Sequence, residues 1–214
     1  LVEIIVSLAI MTIVAGAVGA FVVAGNNSYM RGNKELTLQE EAQLTANQMI
    51  DLIIDVEKGI SFSNLTDQEA VDVDGNVAKD VNGMEVTNAS VSELRLINND
   101  NSYMIRWQGG AGADYADANQ VYLYEVTNTK DGEGKVVVGD FDAAKPALMA
   151  EHVSSFSVDL SELDKRKVVL NMTFTYQDKS YDISETIKLR NDLSSEPSSI
   201  YSCLLYTSDA ADEE

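Results

Sequence analysis

Chemistry has few places to start in this chain. One histidine, His152, and one cysteine, Cys203, stand among 35 acidic residues. There is no Cys-x-x-Cys, no phosphate-binding loop and no His-Glu-x-x-His, so the usual side-chain sets for redox, nucleotide and zinc chemistry are missing. Acids are so numerous that chance pairs of them mark no acid–base site. Asp72-Val73-Asp74-Gly75-Asn76 invites a calcium reading, but an EF-hand loop places Gly at its sixth position with a later Glu, and Gly75 stands at the fourth. An Asp/Asn/Gly turn accounts for the segment better. Trp107, Tyr103, Tyr122 and Tyr124 could line a sugar or peptide site, although aromatics at strand spacing more often belong to a core. His152 is expected at the surface or an edge, just ahead of a strand. This reading contains no catalytic residue, no cofactor and no metal site. One ionisable group stands apart. Glu3 opens a stretch, Ile4 to Gly25, of 22 residues without a charge. A carboxylate beside such a stretch is costly in lipid and asks for a partner.

The element that carries Glu3 is long enough to cross a bilayer core, which needs about 20 apolar residues of helix. A secretory signal peptide fits poorly, since it begins with basic residues and has an apolar region of about 7–15 residues. A plain single-pass anchor fits the length and leaves Glu3 without a role. Beyond the run, Gly25-Asn26-Asn27-Ser28 and Gly32-Asn33 are weak helix formers. From Lys34 the helical signal returns: Leu38, Ala42, Thr45, Met49, Leu52 or Ile53, and Val56 recur at helical spacing. Lys58-Gly59 is a plausible stop. The pattern predicts one long helix from Leu1 to about Glu57, roughly 85 Å in length.

Residues 61–92 read as a polar connection. From Glu93 the pattern turns to strands: 94–97, 103–107, 121–126, 135–138, 153–160, 168–176 and 181–189. Asn98 to Asn101 and Asp131 to Gly134 supply hairpin turns. Phe156, Val158 and Leu160 alternate with polar neighbours, as do Leu170, Met172, Phe174 and Tyr176. A sheet with one buried face and one wet face follows, packed on a helix. The fold class is α+β. Its divisions are 1–24, a transmembrane half-helix; 25–60, an amphipathic half-helix; 61–92, the connection; 93–192, an antiparallel β head; and 193–202, a tail.

Leu1-Val2-Glu3-Ile4-Ile5-Val6-Ser7-Leu8-Ala9-Ile10 resembles the N-terminus of type IV pilins and type II secretion pseudopilins. Their precursors carry a short basic leader ending in Gly, then Phe-Thr-Leu-Val/Ile-Glu and an apolar helix. On this resemblance the leader, the Gly and the Phe-Thr pair are expected ahead of Leu1. The order of elements, ending in Thr186-Ile187-Lys188-Leu189-Arg190-Asn191, is most similar to PilW/PulJ-type minor pilins. The resemblance implies a pilin-like fold and an extracytoplasmic head held by a single membrane span, passing into an extracellular filament. Glu3 would neutralise the N-terminal amine of a neighbouring subunit. Ala15, Gly16, Gly19 and Ala20 would let helices approach closely. Implied partners are other pilins or pseudopilins, an inner-membrane assembly platform, membrane lipid and, for the precursor, a prepilin peptidase.

Cys203-Leu204-Leu205-Tyr206-Thr207-Ser208-Asp209 and the residues after it resemble a translated sequencing adaptor, so 203–214 is expected to be foreign to the native protein. Setting it aside takes away the one cysteine and four acids and moves the net charge from −20 to −16. The head would then rely on its core without a disulfide. So acidic a balance disfavours a broad phosphate-binding surface, and the basic residues are scattered, so no direct nucleic-acid contact is expected. The expected function is a minor pilin or pseudopilin, a structural subunit and not an enzyme. The competing readings are a membrane-anchored extracellular binding module, such as an adhesin or sensor, and an exported enzyme with an unrecognised site.

Overall fold

A computed structural model describes residues 2–109 and 115–193. Leu1, the tail beyond Leu193 and the segment 203–214 lie outside the described residues. Helix α1 spans Val2–Ile54, about 80 Å. Its C-terminal half buries the stripe that the periodicity marks: Leu38, Ala42, Thr45, Met49 and Ile53, with Ala46 beside them. Of the pair Leu52 and Ile53, it is Ile53 that is fully buried, while Leu52 lies at the margin.

The helix stops at Ile54, short of Glu57, and its last turn carries no basic residue. Its final carbonyls find partners elsewhere in the fold, as helix ends require. The Arg190 N–H donates to the Ile54 carbonyl at 3.0 Å. The Asn191 side-chain amide donates to the Val56 carbonyl at 3.0 Å and the Asp55 carbonyl at 3.4 Å. Arg190 also pairs with Asp55 at 2.6 Å. From the other side, Asn99 donates its backbone N–H to the Glu57 carboxylate at 3.0 Å, and the Glu57 N–H donates to Asn98 Oδ1 at 2.9 Å. Tertiary capping therefore takes the place of a Lys-Gly stop, and Gly59 begins a strand.

The layout is α+β: one long N-terminal helix, then antiparallel sheets. Strands β1 (Gly59–Gln68), β2 (Ala89–Ile97), β3 (Asn101–Gly109) and β4 (Gln120–Thr127) run in order. The short ribbon β5 (Thr129–Lys130) and β6 (Val136–Val137) follows, then β7 (Ala147–Ala150), which joins the far side of β4. Strands β8 (Val153–Asp159), β9 (Lys167–Tyr176) and β10 (Lys179–Lys188) form a second sheet in the order β10-β9-β8. The head thus holds a five-stranded and a three-stranded sheet, where the sequence pattern suggested one. The connection expected over 61–92 begins with most of β1.

The register sorts the side chains of the larger sheet by face. Phe62, Leu94 and Ile105 stand in line across β1, β2 and β3, with Leu96 and Trp107 on the same side. They meet Val168, Leu170, Met172 and Phe174 of β9 and the stripe of α1 in one core. The opposite side of that sheet is not left to water. Met104, Tyr122, Tyr124 and Val126 are buried there with Phe141 from the loop before β7. Helix α1 lies against β10, β9 and β7, so it spans from one sheet to the other.

Candidate assembly helix

Glu3 sits in the first turn of a helix that leaves the head altogether. Every residue from Val2 to Asn33 is exposed. The apolar part has a mean hydropathy of 2.4, none of it is buried within the chain, and it is long enough to cross a membrane. Two polar side chains in the run are satisfied locally. The Ser7 hydroxyl donates to the Ile4 carbonyl at 2.9 Å, and Thr12 donates to the Ala9 carbonyl at 2.8 Å. Such back-bonding lets a hydroxyl sit in an apolar medium without an outside partner. Glu3 has no comparable arrangement: among the described residues none donates a hydrogen bond to its carboxylate.

Ala15, Gly16, Gly19 and Ala20 form two overlapping small-xxx-small pairs, Ala15 with Gly19 and Gly16 with Ala20. Each pair shares a helix face, being four residues apart. The fold gives no reason for glycine there. A Cβ added at Gly16 or Gly19 would meet nothing within 4 Å. A glycine inside a helix weakens it by about 1 kcal/mol relative to alanine. Nothing among the described residues offsets that loss.

One polar contact between this helix and the head is not singled out by the sequence. Glu41 lies beside the buried stripe and reaches the corner between β7 and β8. Its Oε1 accepts the Glu151 N–H at 2.7 Å and the His152 N–H at 3.2 Å, and its Oε2 meets His152 Nδ1 at 2.6 Å. The ring of His152 stands edge-on to Tyr176 with centroids 4.6 Å apart. His152 is half-buried just ahead of β8, as its position suggests, but it fastens the helix to the head. Lys34 makes the first contact along the helix, to the side chain of Gln177 in the β9–β10 turn.

The remaining candidates are accounted for by the fold. The four aromatics do not share a surface. Trp107 and Tyr103 lie on the side of β3 that faces the second sheet, while Tyr122 and Tyr124 pair with Arg106 and Met104 on the other. The Trp107 indole donates to the Val153 carbonyl at 2.6 Å. Burial pushes the phenols of Tyr122 and Tyr124 above their ordinary range. Glu93, buried, is matched by Arg95 at 2.7 Å and Arg106 at 3.9 Å, so its charge is compensated within the sheet.

The Asp72 segment is a turn. Asp72 Oδ1 accepts the N–H groups of Asp74 and Asn76 at 2.9 and 2.8 Å, and Gly75 adopts φ +85°. Eight residues on, Asp80 repeats the arrangement with Asn82 and Met84 at 2.8 and 2.9 Å, and Gly83 adopts φ +81°. Among the described residues no group of three or more His, Cys, Asp or Glu is placed to hold a metal ion.

These features define a class: an α+β head carried on a single uncovered apolar helix, consistent with pilin-like architecture. No protein-family model, curated protein or solved structure matches the chain.

Proposed function

We propose that this chain is a minor pilin or pseudopilin, a structural or initiating subunit of a type IV filament serving secretion, adhesion, motility or DNA uptake. The observation that carries the reading is the apolar helix that none of the described residues covers, with one carboxylate at its start. Lipid tails alone could cover the apolar surface, but they offer no partner to Glu3. An ammonium on a neighbouring subunit does, and pairing removes most of the cost of two separate charges in an apolar medium. The open glycine faces at Gly16 and Gly19 favour the same arrangement, because close helix packing needs small residues. The head then stands outside the membrane and enters the filament with the helix. Its other partners are the inner-membrane platform and, before processing, a prepilin peptidase.

The experiment replaces Glu3 with Leu. Insertion rests on the apolar run and is expected to persist. Crosslinking or copurification with partner pilins, compared at matched membrane levels, is expected to fall. Equal incorporation of the variant would reject the pairing and favour the second reading, a membrane-anchored extracellular adhesin or sensor, for which any apolar span suffices.

A further inference from the structure

Between its apolar run and the head, the helix is bare. Residues 25–33 are all exposed, and the first helical residue that the head buries is Leu38. On one side, the run from Ile4 to Ala24 has lipid or neighbouring helices to cover it under the function proposed above. On the other, residues 38–54 are held by the buried stripe, by Glu41 and by the tertiary caps at Ile54 to Glu57. Among the described residues nothing outside the helix holds residues 25–33, and the first contact beyond them is that of Lys34 with Gln177.

Those nine residues are also poor at holding themselves. Gly25, Asn26, Asn27, Ser28, Gly32 and Asn33 all rank low in helix propensity, the glycines by backbone freedom and the others by competing local hydrogen bonds. By contrast, residues 35–54 contain no glycine and a single asparagine, Asn47. Packing does not demand glycine in the bare segment. A Cβ at Gly25 or Gly32 would meet nothing within 4 Å. A helical stretch with neither tertiary contacts nor good local propensity lies at the low end of local stability.

We propose that Gly25–Asn33 is a hinge at which the helix opens, so that the head swings relative to the apolar span while both flanking parts stay helical. Closed, the segment is about 13 Å long; fully extended, its nine residues reach about 30 Å. Opening therefore changes the head's distance from the span as well as its direction. The proposal holds whether or not the span enters a filament, so it can fail without disturbing the role of Glu3, and the reverse.

The test is hydrogen exchange on the full chain in lipid nanodiscs, with trypsin cleavage after Arg31 as a second readout. Amides 28–33 are expected to exchange at least about a hundredfold faster than those of 42–52. The triple variant Gly25→Ala/Asn26→Ala/Asn27→Ala leaves the Arg31–Gly32 bond unchanged and touches no part of the head. It is expected to slow both exchange in the neck, residues 25–33, and cleavage after Arg31 by about tenfold or more, because cutting follows the population of the open form. Neck amides as protected as 42–52, or exchange and cleavage unaltered in the variant, would overturn the hinge.

Discussion

Ile53 offers a direct measure of how firmly the helix is seated. It is fully buried near the end of α1, packed in the core that joins the helix to both sheets. The helix end beside it is pinned by Arg190 and Asn191, so neighbours cannot easily close on a cavity. Ile53→Val should cost about 1 kcal/mol and Ile53→Ala about 3 kcal/mol, in the range for core truncations that relax only partly. Leu52, one residue away and only half-buried, should lose about 1 kcal/mol on change to Ala, since much of its surface already meets water. For a domain of roughly 160 residues each kcal/mol shifts the melting temperature by about 2–4 °C. Ile53→Ala should then lower Tm by about 6–12 °C, and Leu52→Ala by about 2–4 °C. Ile53→Asp sets a carboxylate among apolar side chains with no partner, a loss comparable to the whole stability of a domain, and should abolish cooperative unfolding. The assay is thermal unfolding of residues 34–193, followed by near-ultraviolet dichroism of the buried Trp107. This fragment is expected to fold without the apolar span, because the core draws on nothing before Leu38. An Ile53→Ala variant melting within 2 °C of the parent, or a Leu52→Ala variant melting lower than Ile53→Ala, would refute the packing argument.

Three further outcomes are expected. Glu41→Ala leaves the Glu151 and His152 N–H groups without their acceptor and should destabilise the head by about 1–3 kcal/mol, whereas Glu41→Gln keeps a carbonyl acceptor and should cost less; equal losses in the two thermal melts would contradict this. The backbone N–H groups of Asn76 and Met84 hold the carboxyls of Asp72 and Asp80 below the usual carboxylate range. A depressed folded value stabilises above the unfolded pKa, and the contribution is lost as pH falls through the folded value. Exchange at Asn76 and Met84, corrected for its intrinsic pH dependence, should therefore accelerate below about pH 4 in the parent and change little in Asp72→Asn/Asp80→Asn; a flat parent profile would count against the turns as drawn. Gly109→Ala places a Cβ 2.7 Å from Asn119 Oδ1 and 3.0 Å from the Trp107 ring, and should destabilise by about 1–3 kcal/mol, while Gly16→Ala should leave the melt of the head untouched.

Periodicity made part of this fold legible. Leu38, Ala42, Thr45, Met49 and Ile53 declare the buried stripe of α1 because a helix repeats its face every three or four residues. Alternation in Phe156 and Val158, and in Leu170, Met172 and Phe174, places β8 and β9 to within about a residue. Where both faces or neither are covered, alternation fades. β1 has no fully buried residue, and its Ser61, Ser63, Asn64 and Thr66 read as a polar linker. β7 is four residues long, too short to show a period. The division into two sheets depends on which strands pair, and pairing leaves no mark in a local window. In the apolar half of α1, Glu3, Gly16 and Gly19 stand out because each departs from the type an apolar helix favours, and their proposed part in assembly rests on that departure. Glu41 is one acid among several on α1, and its partner His152 lies 111 residues away. Nothing local separates such a residue from a solvated neighbour.

The cap on the helix end fixes an order of events during synthesis. Asn191 and Val56 are 135 residues apart in the chain, and the helix end is complete only when the segment following β10 has been made. At about 5–20 residues per second, the ribosome needs roughly 7–27 s to bridge that interval. For most of it the stripe from Leu38 to Ile53 has neither β9 nor β10 to lie against. A nascent chain of this design carries an unpaired apolar ridge next to its apolar span until nearly the last strand emerges. Any shielding of that ridge, by bilayer surface or by a chaperone, has to act before the head exists, so the length of the exposed stage is set by where β9 and β10 fall in the sequence.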